Sequence, residues 1–291
     1  MKLLGIAKPE YLLRPARIFH RLRRRFFPTQ TDLATAALPI GQTMQVRPGE
    51  VIGNLLLTHG TYELPLAETL WRLVEPGDHC VDVGANIGYM TLVMASRCKT
   101  GSVCAFEPHP QLFALLQRNA DSLRGTQAAV TLRNCAVSSE ERDCELFIPT
   151  AIGVNAGLST LEAQDGAGER IKVRAVTLDS ELSSLPVIRL MKVDVEGHEL
   201  SVFRGAAGLL KNGRIRNIAF EDHHGYRSEV STFLEGHGYR IFEIQRRFFG
   251  PVLAAPAVAR PRSGWEPPNY LATLDPDEAL RKAAPRGWHV I

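Results

Sequence analysis

Two rhythms of apolar and polar positions divide this chain. From residue 63 onward, Leu66, Leu70, Leu73 and Val74 recur at helical spacing, and Pro76 with Gly77 stops that helix. Short apolar runs then alternate with amphipathic stretches. This pattern predicts strand 80–83, helix 88–97, strand 102–106, helix 111–122 and strand 130–135, a βαβαβ half of a doubly wound sheet. Right-handed crossovers place the loops after Val83 and Phe106 on one edge of that sheet. Between residues 138 and 179 the rhythm changes to short alternating pieces, 144–148 and 171–176, separated by Gly153, Gly157, Gly166 and Gly168. That reads as a β-rich insertion in place of a crossover helix. Strand 188–193, helix 198–211, strand 217–220, helix 228–237 and strands 239–244 and 269–274 complete a seven-stranded, mostly parallel sheet with an antiparallel edge hairpin. Upstream, residues 46–57 read as a β pair turning at Pro48 and Gly49, and residues 28–39 as a linker. The Pro-rich stretch 250–268 reads as a loop over the site or a surface excursion. The expected division is an N-terminal extension and linker over 1–45, one α/β domain over 46–275 and a tail over 276–291.

Charge changes this picture only at one end. The net charge is +3, and the excess belongs to Lys2, Lys8, Arg14, Arg17, Arg21, Arg23, Arg24 and Arg25, which face a single early acid, Glu10. The α/β portion is no polycation, so nucleic acid is not an expected partner. Residues 10–27 interleave arginines with Leu12, Leu13, Ile18, Phe19, Leu22, Phe26 and Phe27. Two readings stand for that stretch: an interfacial helix making peripheral contact with an anionic membrane, or a helix packed on the domain with a solvated basic face. Five cysteines form no C-x-x-C pair and read as small hydrophobes of a reducing compartment. Lys8 and Pro9 interrupt the first apolar run before it reaches secretory length, so the expected location is cytoplasmic, with membrane contact open. Oligomeric state is not legible.

The candidate chemistry begins where strand 80–83 runs through Gly84 and Gly88 into a helix. Free amides at a helix start favour an electron-rich ligand edge, and the glycines permit φ > 0 or close approach. Counted from Gly84, however, the second and third glycines of a dinucleotide G-x-G-x-x-G are Asn86 and Tyr89, which suits a pyrophosphate poorly. Glu107 ends the next strand, where its carboxylate can chelate a ribose diol. A ligand with one ribose and no phosphate, such as S-adenosylmethionine, fits this set. A nicotinamide oxidoreductase is the disfavoured rival.

The chain here resembles the FkbM family of S-adenosylmethionine-dependent methyltransferases. The likeness is carried by Gly60-Thr-Tyr-Glu63, Val81-Asp-Val-Gly-Ala-Asn-Ile-Gly-Tyr89, Phe106-Glu-Pro108, Asn134-Cys-Ala-Val137, Val176-Thr-Leu-Asp179 and Lys192-Val-Asp-Val-Glu-Gly197, and spans about residues 46–274. It implies a Rossmann-like class I methyltransferase fold with S-adenosylmethionine as cofactor. Glu63, Asp82, Gly84, Asn86, Gly88, Glu107, Asn134 and Ala136 are the expected cofactor-binding residues. It also suggests a hydroxyl of a sugar, glycolipid or glycosylated natural product as acceptor, with a non-sugar acceptor or a non-catalytic binding module as alternatives.

An alcohol holds its proton too tightly to react unaided at pH 7, so a base or a metal is needed. Asp194 and Glu196 follow the fourth strand and Glu221, Asp222 and His223 the fifth, on the same sheet edge. Asp194, with His223 or Glu196, is the expected base. Lys192, Asp194 and Glu196 share one face if the strand extends that far. A second expectation assigns Asp194, Glu221 and Asp222 to Mg²⁺.

Overall fold

A computed structural model describes residues 9–12, 32–149, 156–162, 167–256 and 268–291. Most of the amphipathic stretch 10–27, and residues 257–267 of the Pro-rich stretch, lie outside the described residues.

The main sheet has eight strands. Five are parallel neighbours: β3 (His79–Val83), β4 (Ser102–Phe106), β5 (Ala129–Arg133), β9 (Ile188–Val193) and β10 (Ile215–Glu221). β13 (Asn269–Thr273) pairs antiparallel with β10, followed outward by β11 (Arg240–Arg247) and β12 (Gly250–Ala254), giving the order β12-β11-β13-β10-β9-β3-β4-β5. This is the expected α/β architecture with one added edge strand: residues 250–254 pair in register with β11 instead of forming a loop. Pro251 is tolerated there because β12 is the outermost strand, where one side of the backbone needs no partner.

The insertion forms its own sheet, β6 (Ala136–Val137), β8 (Gly168–Val176) and β7 (Arg142–Pro149) in that order. Leu146, Val173 and Ala175 bury its inner face. A further pair, β1 (Ala34–Ala37) with β2 (Thr43–Val46), precedes the main sheet, so part of the expected linker is a strand.

Residues 46–57 are not the expected β pair. β2 ends at Val46, and Val51–His59 forms helix α1, closed by Gly60 in the left-handed region. The apolar run Leu55-Leu56-Leu57 hides the helical period; of the three leucines only Leu56 is buried, three and four residues after the buried Gly53 and Ile52. Gly53 is required there, since a Cβ would lie 2.0 Å from the Arg47 carbonyl oxygen.

Helices α2 (Leu64–Leu73), α3 (Tyr89–Cys98) and α4 (Pro110–Asp121) belong to the apolar cluster on one side of the sheet. The expected helix 198–211 splits into α6 (Glu199–Arg204) and α7 (Ala207–Lys211), which follow the one-turn α5 (Leu178–Glu181). The break falls at Gly205, where a side chain would meet the Ser138 carbonyl at 2.0 Å. With α8 (Glu229–Gly236), these helices cover the opposite face, around Phe203 and Phe220. Residues 276–283 form helix α9, capped by Asp275, whose side chain accepts from the Glu278 amide. No helix among the described residues is long and apolar enough to cross a membrane.

Candidate active site

The turn after β3 is built by its neighbours. Gly84 takes φ 76°, and a Cβ there would lie 1.8 Å from the Asp194 carbonyl oxygen, so the chain leaving β9 makes glycine obligatory. The Gly84 and Ala85 amides both donate to the Phe106 carbonyl at 3.0 Å, stitching the turn to β4. Asn86 follows in the left-handed region at φ 51°, with its side-chain oxygen accepting from the Ile87 amide at 2.8 Å. Gly88 serves packing: a Cβ would press to 2.6 Å from Leu116 on α4.

Glu107 is an anchored carboxylate. One oxygen accepts from the Asn86 amide at 2.7 Å and the other from the His109 amide at 2.9 Å. Burial pushes its pKa up to about 7 even though both amides pull it down. Each oxygen retains a second acceptor position. Asn134 is exposed and donates to the carbonyls of Glu107 and Pro108 at 2.8 and 3.2 Å, so it staples the loop after β4, while Cys135, Ala136 and Val137 supply the cleft wall at that point.

Asp82 is fully buried and does not line the cleft. Thr91 donates to one of its oxygens at 2.6 Å, and the other, without a hydrogen-bond partner, faces the Lys192 ammonium at 3.6 Å. Lys192 ties the two sides of the cleft together: Nζ donates to the Gly84 carbonyl at 2.7 Å and lies 3.3 Å from Asp194. Burial alone would discharge this lysine, but Asp194, Asp82 and Glu63 outweigh it and raise its pKa.

Beyond β9 the acids gather. The strand stops at Val193, and Glu196 turns into the left-handed region at φ 52°. Lys192, Asp194 and Glu196 therefore do not share a strand face as expected; the turn carries Glu196 toward β10. His223 Nε2 lies 3.6 Å from Glu196 and 3.5 Å from Glu221. Burial, then Asp194 and Glu221, push Glu196 up to about 8. Burial and Asp194 also raise Glu221, against the pull of His223. His223 is itself held up at about 8 by Glu221. Glu63 immediately precedes α2 in the left-handed region at φ 42°, without a side-chain bond to the helix; burial and Asp194 push it to about 8, and Asn269 donates to it at 3.4 Å. Glu199 accepts from the Val195 and Gly197 amides at 3.1 and 3.2 Å, holding the turn.

The expected metal set does not assemble. Asp222 accepts from the His224 amide at 2.9 Å and from the Ser228 hydroxyl, so it shapes its own loop, and Asp194 faces Lys192. Among the described residues, the group whose ligand atoms lie within 4.8 Å of one another is Glu196, Glu221 and His223. An imidazole with two carboxylates is not the all-oxygen set that Mg²⁺ prefers.

Sequence reasoning missed the far wall. Leu146, Gly157, Ser159, Thr160 and Leu161 of the insertion line the cleft opposite Gly84 and Glu107. Thr160 donates to the Glu196 carbonyl at 2.9 Å, and buried His198 bridges Ser138 at 2.9 Å and Glu162 at 2.6 Å. His198 stands two residues after Glu196, but its partners, distant in sequence, were not legible. The whole cleft holds about 950 Å³, including space open to solvent, and brings Glu63, Gly84, Asn86, Glu107, Ala136, Asp194 and Glu196 to one cavity.

A family profile described as "Methyltransferase FkbM domain" matches residues 82–241. The chain is 31% identical to 31-O-demethyl-FK506 methyltransferase FkbM of Streptomyces tacrolimicus over 221 residues, 66% of this chain and 84% of that one. It is 32% identical to hexuronic acid methyltransferase AglP of Haloferax volcanii over 184 residues, covering 63% and 72% of the two chains. Methyltransferase 1 of Beauveria bassiana is 30% identical over 215 residues, covering 65% and 76%. The match runs from the buried carboxylate of β3, through the cradle and the acid-rich edge, into β11: this chain belongs to the FkbM-domain methyltransferases.

Proposed function

We propose that the cleft binds S-adenosylmethionine and that the enzyme methylates a hydroxyl of a sugar, glycolipid or glycosylated natural product. The observation that carries this reading is the Glu107 carboxylate, fixed by two backbone amides at the lip of a cleft whose other side is an acid-rich edge. The residues suit the donor: Glu107 offers acceptors for a ribose diol, Cys135 to Val137 an apolar wall for a base, and Gly84 to Asn86 with Glu63 a polar rim for the amino-acid end. When bound, S-adenosylmethionine supplies a sulfonium methyl for in-line displacement. Asp194, 3.3 Å from the Lys192 ammonium, orients the acceptor hydroxyl, and the Glu196–His223–Glu221 group takes its proton. Two relatives named for an O-demethyl acceptor and for hexuronic acid support a hydroxyl-bearing acceptor.

Calorimetry of the full chain with S-adenosylmethionine and S-adenosylhomocysteine, followed by mass spectrometry of glycolipids and polysaccharides from cells with and without the protein, tests it. Uptake of both ligands and loss of one methyl from a defined glycan are expected. Failure of well-folded protein to bind either ligand overturns the donor; binding without any methylated product leaves a binding module.

A further inference from the structure

The C-terminal segment is fastened to the domain away from the cleft. Arg72 and Glu68 of α2 form an ion pair at 2.7 Å with side chains 4% and 0% exposed. A buried ion pair is sustained only when its remaining valences are filled, and here the backbone beyond α9 fills them. The Arg72 guanidinium donates to the carbonyls of Ala283, Pro285 and Gly287, each at 2.6 Å. Glu68 accepts from the His289 and Val290 amides at 2.7 and 3.1 Å. This strap in turn grips the β11–β12 turn: the Gly287 amide donates to the Phe249 carbonyl at 2.7 Å and the Trp288 indole to the Phe248 carbonyl at 2.9 Å.

The gripped turn is Arg246-Arg247-Phe248-Phe249, and all four residues are exposed, Phe248 at 40% and Phe249 at 57%. The two rings meet edge to face at 4.9 Å, and the Arg286 guanidinium lies 5.7 Å from the centre of the Phe249 ring. A buried ionic network thus holds adjacent aromatic rings out in water, flanked by three arginines. A stable protein partner would require an interface of roughly 800 Å² a side. A turn of four residues offers far less, but it suits a planar, negatively charged boundary into which aromatic rings sink a few ångströms.

We propose that the β11–β12 turn docks on an anionic lipid bilayer, with Phe248 and Phe249 entering the headgroup boundary and Arg246, Arg247 and Arg286 facing lipid phosphates. Positive charges near such a surface each strengthen partitioning by about fivefold. The turn shares no residue with the stretch 10–27, and the inference does not depend on what the cleft binds.

The test is co-sedimentation of the full chain with vesicles of phosphatidylcholine alone, or with about one-third phosphatidylglycerol to supply the surface charge. Binding to the anionic vesicles is expected, with F248S/F249S weakening it at least ~10-fold and R246Q/R247Q about 25-fold, at unchanged thermal midpoints. In F249W the indole emission should shift to the blue and be quenched by brominated lipid. Equal binding by F248S/F249S would place any membrane contact elsewhere and overturn the proposal, as would an F249W emission indifferent to vesicles. A concentration-dependent dimer abolished by F248S/F249S, with no vesicle binding, would overturn it in favour of a second copy of the chain.

Discussion

The two carboxylate sites of the cleft are held in opposite ways. Around Glu107 both oxygens are met by backbone amides at 2.7 and 2.9 Å, so its position is set by main chain that few substitutions can alter. Around Glu196 the imidazole of His223 stands off at 3.6 Å, and burial, then Asp194 and Glu221, push its carboxyl toward protonation. The first arrangement is suited to holding a ligand in a single pose. The second keeps protons within reach of pH 7 and is suited to giving and receiving them. Lys192 joins the two, bonding the Gly84 carbonyl on one side and facing Asp194 on the other.

The largest expected effect breaks the acid-rich side alone. Asp194→Ala should lower turnover by about 10³-fold while leaving S-adenosylmethionine affinity within a few-fold, measured by radiolabelled methyl transfer and calorimetry. Unchanged turnover would remove Asp194 from the mechanism. Breaking the other side should do the reverse: Glu107→Ala is expected to weaken S-adenosylmethionine binding by about 10- to 100-fold, the worth of a charged hydrogen-bond acceptor, with a smaller change at saturating donor. If both variants lose turnover and donor affinity together, the two sites are not separable.

Acidity sharpens the contrast at a smaller scale. His223 and Glu196 hold their last protons to about 8, so turnover at saturating substrates should rise about tenfold from pH 7 to pH 9. Glu107 is protonated below about 7, so donor affinity should fall as pH drops below that value. A donor affinity that is flat from pH 6 to 8 would deny Glu107 its part in binding.

The smallest effect concerns stability. Glu196 is raised in the folded chain above its ordinary value of 4.5, so its unfavourable contribution is absent at low pH and grows as pH climbs from about 4.5 toward 8. Glu196→Gln should therefore gain about 1 kcal/mol relative to the parent chain at pH 5.5 and almost nothing at pH 4, read from denaturant midpoints. Equal midpoint shifts at both pH values would contradict the assigned strain.

The β3–turn–α3 unit and the strands either side of it were legible because their signals are local. A buried run, a glycine that must take φ > 0 and a largely apolar helix lie within twenty residues of one another. Helix α1 was misread because Leu55 and Leu57 flank Leu56 and blur its period, and β12 because its pairing with β11 lies in a stretch that reads as loop. Glu107, Asp194, Glu196 and His223 were identified by type and by their places at strand ends. The backbone amides that fix Glu107, and the withdrawal of Asp222 into its own loop, were not.

The alternation of parallel strands and helices from β3 to β10, the glycine turn and the set of acids at one sheet edge were determined by the sequence itself, because periodicity and turn chemistry act over a few residues. Which acids meet, which one Lys192 holds, and that the insertion closes the cleft through Thr160 and His198 were decided only by tertiary structure. Hydrogen bonds and charge interactions act over a few ångströms, and segments as far apart as Gly84 and Lys192, 108 residues from each other, are brought within that range only when the sheet assembles.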